Sequence, residues 1–328
     1  MKRKYFVASA ALLLTAPLAL LSACASTPEL TLSSNWFSDT STKSIPPDFE
    51  ETLEYSVSFE KSADAESGNF RMEYPNGGTY TTTLKAGDKN GTKIYVYTTT
   101  LKAEVRYSLG NESAEFPETV TTQVEFLDIS NRLRPLSSTR TVDASAPLYA
   151  PTAKPASLND AFNRYHYETV INYNDDLSKA EYTIKDLSTD KTDKYDIKLN
   201  GKGSFFDNEQ ILLLFRAAEL NKSMTFRTLD PTTRTVEKIV VKEGPSAVTV
   251  KKSVKLGDSE AVEREINANT LSIAYNKANA GATQTLTYAQ RGDPLHNEFR
   301  NVLLTYSYPV IYSHGTMTYQ LVSANFYG

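Results

Sequence analysis

Alternation of apolar and polar residues runs through most of the chain and predicts β-strands. In the first such segment Leu53, Tyr55, Val57 and Phe59 alternate with polar residues, which is typical of a strand with one buried face. Similar segments follow at 119–127, 136–142, 165–173, 180–187, 194–199, 224–229, 235–242, 248–256, 270–276, 283–289, 302–308 and 316–322. The pattern predicts a strand-rich antiparallel assembly.

One heptapeptide, Tyr-Thr-Thr-Thr-Leu-Lys-Ala, occurs twice, at residues 80–86 and 97–103. Asn90 and Gly91 lie between the copies and form a favoured two-residue turn. We therefore predict a β-hairpin. Because β-branched threonine suits a pleated surface, we expect the threonines on a solvated sheet face.

A single segment, 207–220, has the pattern of a helix. Asp207 is a favourable N-cap, and Gln210 lies three residues later, as a capping box requires. Residues 211–215 are all apolar, which indicates burial on most sides, and Asn221 is a suitable stop. We expect this helix to pack against a sheet or inside its curve.

The predicted fold is mainly β: a large curved antiparallel sheet or half-barrel packed around one principal α-helix, 207–220. Residues 143–159 are rich in Pro and Ala and break the strand pattern. They form a domain linker or a flap, and we favour a flap because neither flanking part contains a second helix around which to build its own core. We therefore expect a single β-rich domain over 49–328.

The N-terminus has the pattern of a secretion signal that ends in a lipobox. A basic start at 2–4 precedes an apolar run at 5–21, and Leu-Ser-Ala-Cys follows at 21–24. This segment resembles the bacterial lipoprotein signal. The resemblance implies cleavage after residue 23, diacylglycerol on the Cys24 thiol and a further acyl chain such as palmitate on its amine. Several acyl chains would anchor the protein to a membrane on its extracytoplasmic side, at the outer membrane or the cell surface.

Residues 24–48 are rich in Ser, Thr and Pro, and we interpret them as a tether between the lipidated cysteine and the folded part. A flexible chain of this length spans about 25 to 30 Å. Such a tether would lift the folded part clear of the lipid headgroups.

Composition excludes several classes of function. Cys24 is the only cysteine, so lipid on its thiol would leave none for a disulfide, a zinc-thiolate site or a nucleophile. Loss of the three cations at 2–4 changes the net charge from −4 to −7. An acidic exported protein is poorly suited to nucleic acid, which requires clustered Lys and Arg. We expect the lipid, and not charge, to hold the protein on the membrane.

The segment 205–242, FFDNEQILLLFRAAELNKSMTFRTLDPTTRTVEKIVVK, resembles the core of an uncharacterised bacterial exported family, domain of unknown function 3108. That family has an Asp-led apolar helix that carries an Arg, matched here by Asp207, the run 212–214 and Arg216. The resemblance implies a curved antiparallel sheet wrapped on a helix, related to the lipoprotein-carrier half-barrels.

Catalytic motifs are missing from the sequence. His166, His296 and His314 are isolated, and neither HExxH nor GxSxG occurs. Acidic residues between 175 and 196 lack the spacing of a calcium loop. We predict a protein that is not an enzyme and uses no metal or cofactor. An enzyme would require two of the histidines to converge with a carboxylate.

Arg216 lies among Leu and Phe in the predicted helix. Its guanidinium must reach water, pair with a carboxylate or face a cavity, since an unpaired buried charge costs several kcal/mol. We favour a structural pair or a rim position over a ligand contact. The leading hypothesis for function is an apolar groove between sheet and helix that binds a hydrophobic or amphiphilic ligand, with Ile211, Leu214, Phe215 and Arg216 as candidate binding residues.

The rival hypothesis is a surface scaffold or adhesion module. The chain has 20 tyrosines against one tryptophan. Clusters such as Tyr306, Tyr308 and Tyr312 suit a sheet face that binds envelope glycans or a protein partner. A filled core beside the helix would favour this hypothesis over the groove.

Overall fold

The computed structural model describes residues 28–32, 49–129, 132–199, 204–218, 222–245, 247–275, 283–290 and 301–326. The protein is mainly β, with a large sheet and a small closed barrel. The prediction of a strand-rich antiparallel assembly is therefore confirmed.

The strands and helices follow one another in chain order as follows: β1 Glu50–Lys61, α1 Ala63–Ser67, β2 Phe70–Glu73, β3 Gly78–Lys89, β4 Thr92–Leu109, β5 Glu112–Ile129, β6 Arg132–Pro147, β7 Phe162–Tyr173, β8 Lys179–Asp186, β9 Thr192–Lys198, β10 Phe205–Phe206, α2 Ile211–Ala217, β11 Met224–Asp230, β12 Thr235–Glu243, β13 Val248–Leu256, β14 Val262–Tyr275, β15 Gln284–Ala289, β16 Leu303–Pro309 and β17 Gly315–Asn325.

Pairing between strands gives one continuous path across the sheet. It runs β9-β8-β7-β6-β5-β4-β3-β1-β17-β16-β15-β14-β12-β11-β10, with β2 beside the end of β4. These pairs are antiparallel except β10 with β11. Most strands therefore pair with a neighbour in sequence, as in a meander.

The small barrel closes through β13. This strand pairs antiparallel with β14 along most of its length and parallel with β17 at Lys255 and Leu256. Since β14, β15, β16 and β17 are already neighbours, the last contact completes a ring. Val254, Ile266 and Leu286 belong to the continuous main core and are fully buried.

The long sheet curls so that its two ends meet. Side chains of β7, β8 and β9 form one apolar cluster with Phe205 of β10 and Leu229 of β11. The Tyr182 hydroxyl donates to the Pro231 carbonyl at 2.9 Å, and the Tyr173 and Phe205 rings contact each other. This curl creates the enclosed inner face on which the candidate site lies.

The predicted helix 207–220 is too long. Residues 208–210 form a single 3-10 turn, and α2 covers only residues 211–217. Ala218 is extended and pairs with Leu32, so contact with a distant segment ends the helix. The predicted capping box of Asp207 and Gln210 is confirmed. Residues 219–221, where the stop was predicted, lie outside the described residues.

The predicted loop 143–159 also needs correction. Strand β6 continues through residues 143–147, because they pair with β7 as far as Pro147 with Phe162. Proline is tolerated at the end of a strand, where no ladder hydrogen bond is required from its nitrogen. The irregular connection is therefore confined to the residues between β6 and β7.

The hairpin predicted from the heptapeptide repeat is confirmed. Lys89 pairs with Thr92, and Asn90 and Gly91 have φ of 56° and 77°, as a tight two-residue turn requires. The prediction that its threonines face solvent is wrong for Thr82 and Thr99, which are buried on the inner face.

Candidate functional site

The helix α2 lies inside the curved sheet. The Phe215 ring contacts Phe226 of β11 and Tyr288 of β15, with centroid distances of 6.2 and 5.9 Å. The Tyr288 hydroxyl donates to the Leu212 carbonyl at 2.8 Å. Leu214 and Phe215 have no exposed surface. The apolar part of the segment is therefore covered by the chain itself.

The N-terminal end of the segment is held by buried hydrogen bonds. The Glu209 amide donates to Asp207 Oδ1 at 2.7 Å, and the Asp207 amide donates to Gln210 Oε1 at 3.0 Å. The Tyr173 hydroxyl of β7 donates to Asp207 Oδ2 at 2.6 Å, and Gln210 Nε2 donates to the Leu133 carbonyl of β6. These bonds fix the start of the segment to β6 and β7.

Two ion pairs, one buried and one partly buried, hold the segment at opposite ends. Glu209 pairs with Arg140 of β6 at 2.8 Å, and Arg216 pairs with Glu51 of β1. At the same end Asn301 Nδ2 donates to the Arg216 carbonyl at 3.1 Å. Arg216 therefore pairs with a carboxylate, which is the arrangement the sequence analysis favoured over a ligand contact.

A polar row crosses the inner face of the sheet. Thr82, Thr99, Thr122, Arg140 and Thr169 are neighbours in register on β3, β4, β5, β6 and β7, and each is buried. The hydroxyls of Thr99 and Thr122 are 2.8 Å apart. We call these five residues the inner polar row.

The buried tyrosines of the main core remain neutral. Burial raises the pKa of Tyr55, Tyr97 and Tyr288 well above the ordinary value of tyrosine. The Tyr55 hydroxyl donates to the Leu303 carbonyl at 3.0 Å, and its ring contacts Tyr80. The tyrosines therefore supply hydroxyl groups to the interior and no charge.

Asp207 couples the stability of the fold to pH. Burial raises the pKa of its carboxyl to about 6, and the neighbouring Glu209 charge acts in the same direction. Because the folded state holds this proton more tightly than the unfolded state, its contribution to stability is present below about pH 4 and is lost as pH rises through about 6.

The Asp207→Asn variant retains a side-chain oxygen that can cap the helical segment, and it removes the carboxyl group that titrates. Relative to this variant, the free energy of unfolding of the wild-type protein should fall by about 2 kcal/mol between pH 4 and pH 7. Urea denaturation at several pH values measures the difference. Burial also raises the pKa of Glu118. Because Glu118 is present in both proteins, its contribution to the pH dependence cancels in the difference. A difference that is constant with pH would contradict the raised pKa.

The candidate ligand residues lie together at α2. Leu214 and Phe215 are in the main core, and Ile211 and Arg216 retain only 7% and 4% exposure. Their binding of a ligand stays a prediction. Cys24, the predicted lipidation site, lies outside the described residues.

The two described histidines lie in different environments. His166 is exposed on β7 and pairs across the sheet with Asp143, whereas His314 is buried with Nε2 2.9 Å from the Tyr149 carbonyl. Burial lowers the pKa of His314. His296 lies outside the described residues. Within the described part of the chain, no group of three or more His, Cys, Asp or Glu side chains is arranged to hold a metal ion.

The tyrosine cluster of the rival hypothesis is half-buried. Tyr306 and Tyr308 share a face, with centroids 5.3 Å apart, and both contact Tyr319. The Tyr306 hydroxyl donates to Gln284 Oε1 at 2.7 Å. Tyr312 lies beyond β16 in a turn with φ of 58°. The adjacent pair therefore contributes to packing through its rings.

Sequence reasoning missed several residues of the interior: Glu51, Arg140, Glu209 and the threonines of the inner polar row. Arg140 and Glu209 are 69 positions apart, and Glu51 and Arg216 are 165 apart. One sequence signal could have found Arg140: residues two apart in a strand share a face, so Arg140 lies on the same face as the apolar Val142.

The fold and site define a mainly β protein with a short helix enclosed by a curled sheet. No family model, curated protein or solved structure matches the chain. The resemblances to domain of unknown function 3108 and to the bacterial lipoprotein signal therefore stay predictions. None of the described helices is long and apolar enough to cross a membrane.

Proposed function

We propose that the chain is a lipid-anchored exported protein that binds an amphiphilic envelope molecule between its curved sheet and α2, without catalysing a reaction. Lipid on Cys24 holds it to the extracytoplasmic side of a membrane. The observation that carries the binding proposal is the inner polar row, which places four buried hydroxyls and a guanidinium on the inner face, where Arg140 pairs with Glu209 just before α2.

Such an interior is not required for stability. Replacing a buried ion pair by well-packed apolar residues is often neutral, or stabilising by about 1–4 kcal/mol. Binding sites commonly contain clusters of buried charged and titratable groups, so we assign this polar interior a use beyond holding the fold together. An amphiphile supplies both an apolar tail and a polar head to such a surface.

The head group is anionic in this proposal. The Nε atom of Arg140 is buried and has no hydrogen-bond partner among the described residues. A guanidinium binds phosphate or carboxylate through several donors at once, so this nitrogen is available to an anionic head. The Thr122 hydroxyl lies on the strand next to Arg140 and the Thr99 hydroxyl on the strand beyond it, and both supply neutral contacts.

Entry of the tail requires α2 to move, because Leu214 and Phe215 are covered by the chain. The helix has seven residues, too few to be stable without its tertiary contacts. Displacement of α2 costs the ion pairs at its two ends and also the buried contacts of its apolar side chains, which the tail has to replace. The apolar tail takes the place of Ile211, Leu214 and Phe215 against the sheet.

The test compares two pairs of threonines on the same strands. Thr99→Val with Thr122→Val removes the inner hydroxyls and both partners of their shared hydrogen bond, while the Tyr80 hydroxyl loses one contact with Thr99, so urea denaturation of each variant accompanies the titration. Thr100→Val with Thr121→Val changes a directly paired set on the opposite face. Calorimetric titration with lysophosphatidylglycerol should show binding at least about tenfold weaker for the inner pair alone.

Wild-type protein that binds no lysophosphatidylglycerol, or equal losses in the two variants, would contradict the proposal. Lysophosphatidylcholine with the same acyl chain is the control for the head group. We expect it to bind more weakly, because its phosphate is neutralised by its own cation.

The second candidate is a surface scaffold that binds envelope glycans or a protein partner. Two observations favour it. Leu214 and Phe215 have no exposed surface, so the core beside the helix is filled. Thr81, Thr100, Thr121 and Thr141 lie in register on the outer face of β3 to β6. If the protein is such a scaffold, glycan binding should be weakened by the changes at Thr100 and Thr121 and not by those at Thr99 and Thr122. Loss of binding to isolated cell-wall glycan in the Thr100→Val, Thr121→Val variant, with no lipid uptake by the wild type, would support this function.

A further inference from the structure

Residues 28–32 do not form part of a free tether. The Thr225 amide of β11 donates to the Pro28 carbonyl, and the Leu30 amide donates to the Thr225 carbonyl, both at 2.9 Å. Leu32 pairs with Ala218 at the end of α2. The tether predicted for 24–48 is therefore interrupted, four positions after Cys24, by a segment that joins the sheet.

Side chains fix this segment as firmly as its backbone. Leu30 and Leu32 are 5% and 7% exposed and belong to the main core. The Ser204 hydroxyl donates to the Leu30 carbonyl at 3.1 Å, and the Ser204 amide donates to Glu29 Oε2 at 3.2 Å. The segment occupies the edge of β11 in line with β10, an edge that would otherwise present unpaired backbone groups.

Chain length then limits the position of Cys24. Four residues span at most about 14 Å, against the 25 to 30 Å average of the predicted tether. The pairing of Glu29 with Thr225 is parallel, so the chain before Pro28 approaches from the end of the sheet where β11 begins at Met224 and β12 ends at Glu243. We call this region the β11–β12 end.

We propose that residues 28–32 are an anchor strand that holds the β11–β12 end against the lipid bilayer in which Cys24 is anchored. This inference rests on the proposed lipid anchor. Lys242 and Glu243, of opposite charge, are both exposed at this end. The lipid and the anchor strand therefore determine the orientation, and salt has little effect on it.

The two ends of one hairpin provide matched probe positions. Glu243 and Thr233 are both exposed, and β12 separates them by about 27 Å at about 3.4 Å per residue. Glu243→Cys or Thr233→Cys supplies the only free thiol once Cys24 is acylated, and each takes the same fluorophore. The full lipidated chain is reconstituted in phosphatidylcholine vesicles that contain a headgroup-nitroxide phosphatidylcholine.

We expect nitroxide quenching at position 243 to be at least twofold stronger than at position 233. Leu30→Asp with Leu32→Asp should release the anchor strand and remove this difference, whereas Thr31→Asp, at an exposed position between them, should preserve it. Hydrogen exchange of the same reconstituted chains, corrected for the intrinsic rate of each sequence, should show the backbone amide at position 30 protected at least tenfold more in Thr31→Asp than in the double variant.

The outcomes separate the inference from the proposed function. An intact mass that shows acylated Cys24, together with equal quenching at positions 243 and 233, overturns the inference and leaves the lipid anchor in place. An unprotected Leu30 amide in the wild type also overturns it. Unmodified Cys24 overturns the proposed anchoring, and with it the orientation on the bilayer.

Discussion

Replacing Arg216 by methionine is expected to lower the free energy of unfolding by about 3–5 kcal/mol, because the change leaves Glu51 as an unpaired buried carboxylate. Both side chains of this pair are almost fully buried, at 4% and 5% exposure. Urea denaturation at pH 7 measures the loss. The double variant with Glu51→Gln should recover a large part of it, since no charge then remains without a partner.

The matched control is an ion pair on the surface. Lys251 and Glu265 are 3.2 Å apart, and their side chains are 64% and 60% exposed. Lys251→Met should change the free energy of unfolding by less than about 1 kcal/mol. A loss for Arg216→Met no larger than that of this control would mean that the buried pair does not hold α2 in place.

Replacing Phe215 by alanine is expected to cost about 3–5 kcal/mol of stability, through lost apolar contact and the cavity that remains. The side chain is fully buried and contacts two other aromatic rings, Phe226 and Tyr288. Thermal or urea unfolding with the far-ultraviolet circular dichroism of the sheet as the signal checks the loss.

Val262→Ala, at a position with 52% exposure, is the control and should change stability by less than about 0.5 kcal/mol. A Phe215→Ala variant as stable as this control would show that the sheet folds without α2 in its interior. Because both large effects arise at α2, the helix is central to the fold as well as to the candidate site.

Local signals predicted much of this fold. Alternation in segments such as 53–59 revealed the strands, because the side-chain period of two is a local property of the backbone. The cap at Asp207 was predicted for the same reason, since its partners lie within three residues. The turn at Asn90 and Gly91 likewise depends only on the conformations that these two residues accept.

Distant contacts could not be predicted in the same way. The helix ends at Ala217 because Ala218 pairs with Leu32, and nothing near Ala218 in sequence indicates that partner. Three consecutive threonines, at 81–83 and again at 98–100, hide which of them faces inward, because alternation by itself does not select the buried face. Tertiary packing places Thr82 and Thr99 on the buried face.

Buried charges were partly predictable. A guanidinium among Leu and Phe required a partner, which made Arg216 notable from sequence, but Glu51 could be identified only from the pairing of the sheet. Arg140 lies between threonines in an ordinary alternating strand, so no local feature marked it as buried.

Native mass spectrometry of the form that begins at Ser26, purified from the envelope of its own host, tests the central claim most directly. We predict one bound amphiphile per chain in the wild type and in the Thr100→Val, Thr121→Val variant, and a bare chain in the Thr99→Val, Thr122→Val variant. A bare wild-type chain that also takes up nothing from a total lipid extract of the host would contradict the account and favour the surface scaffold.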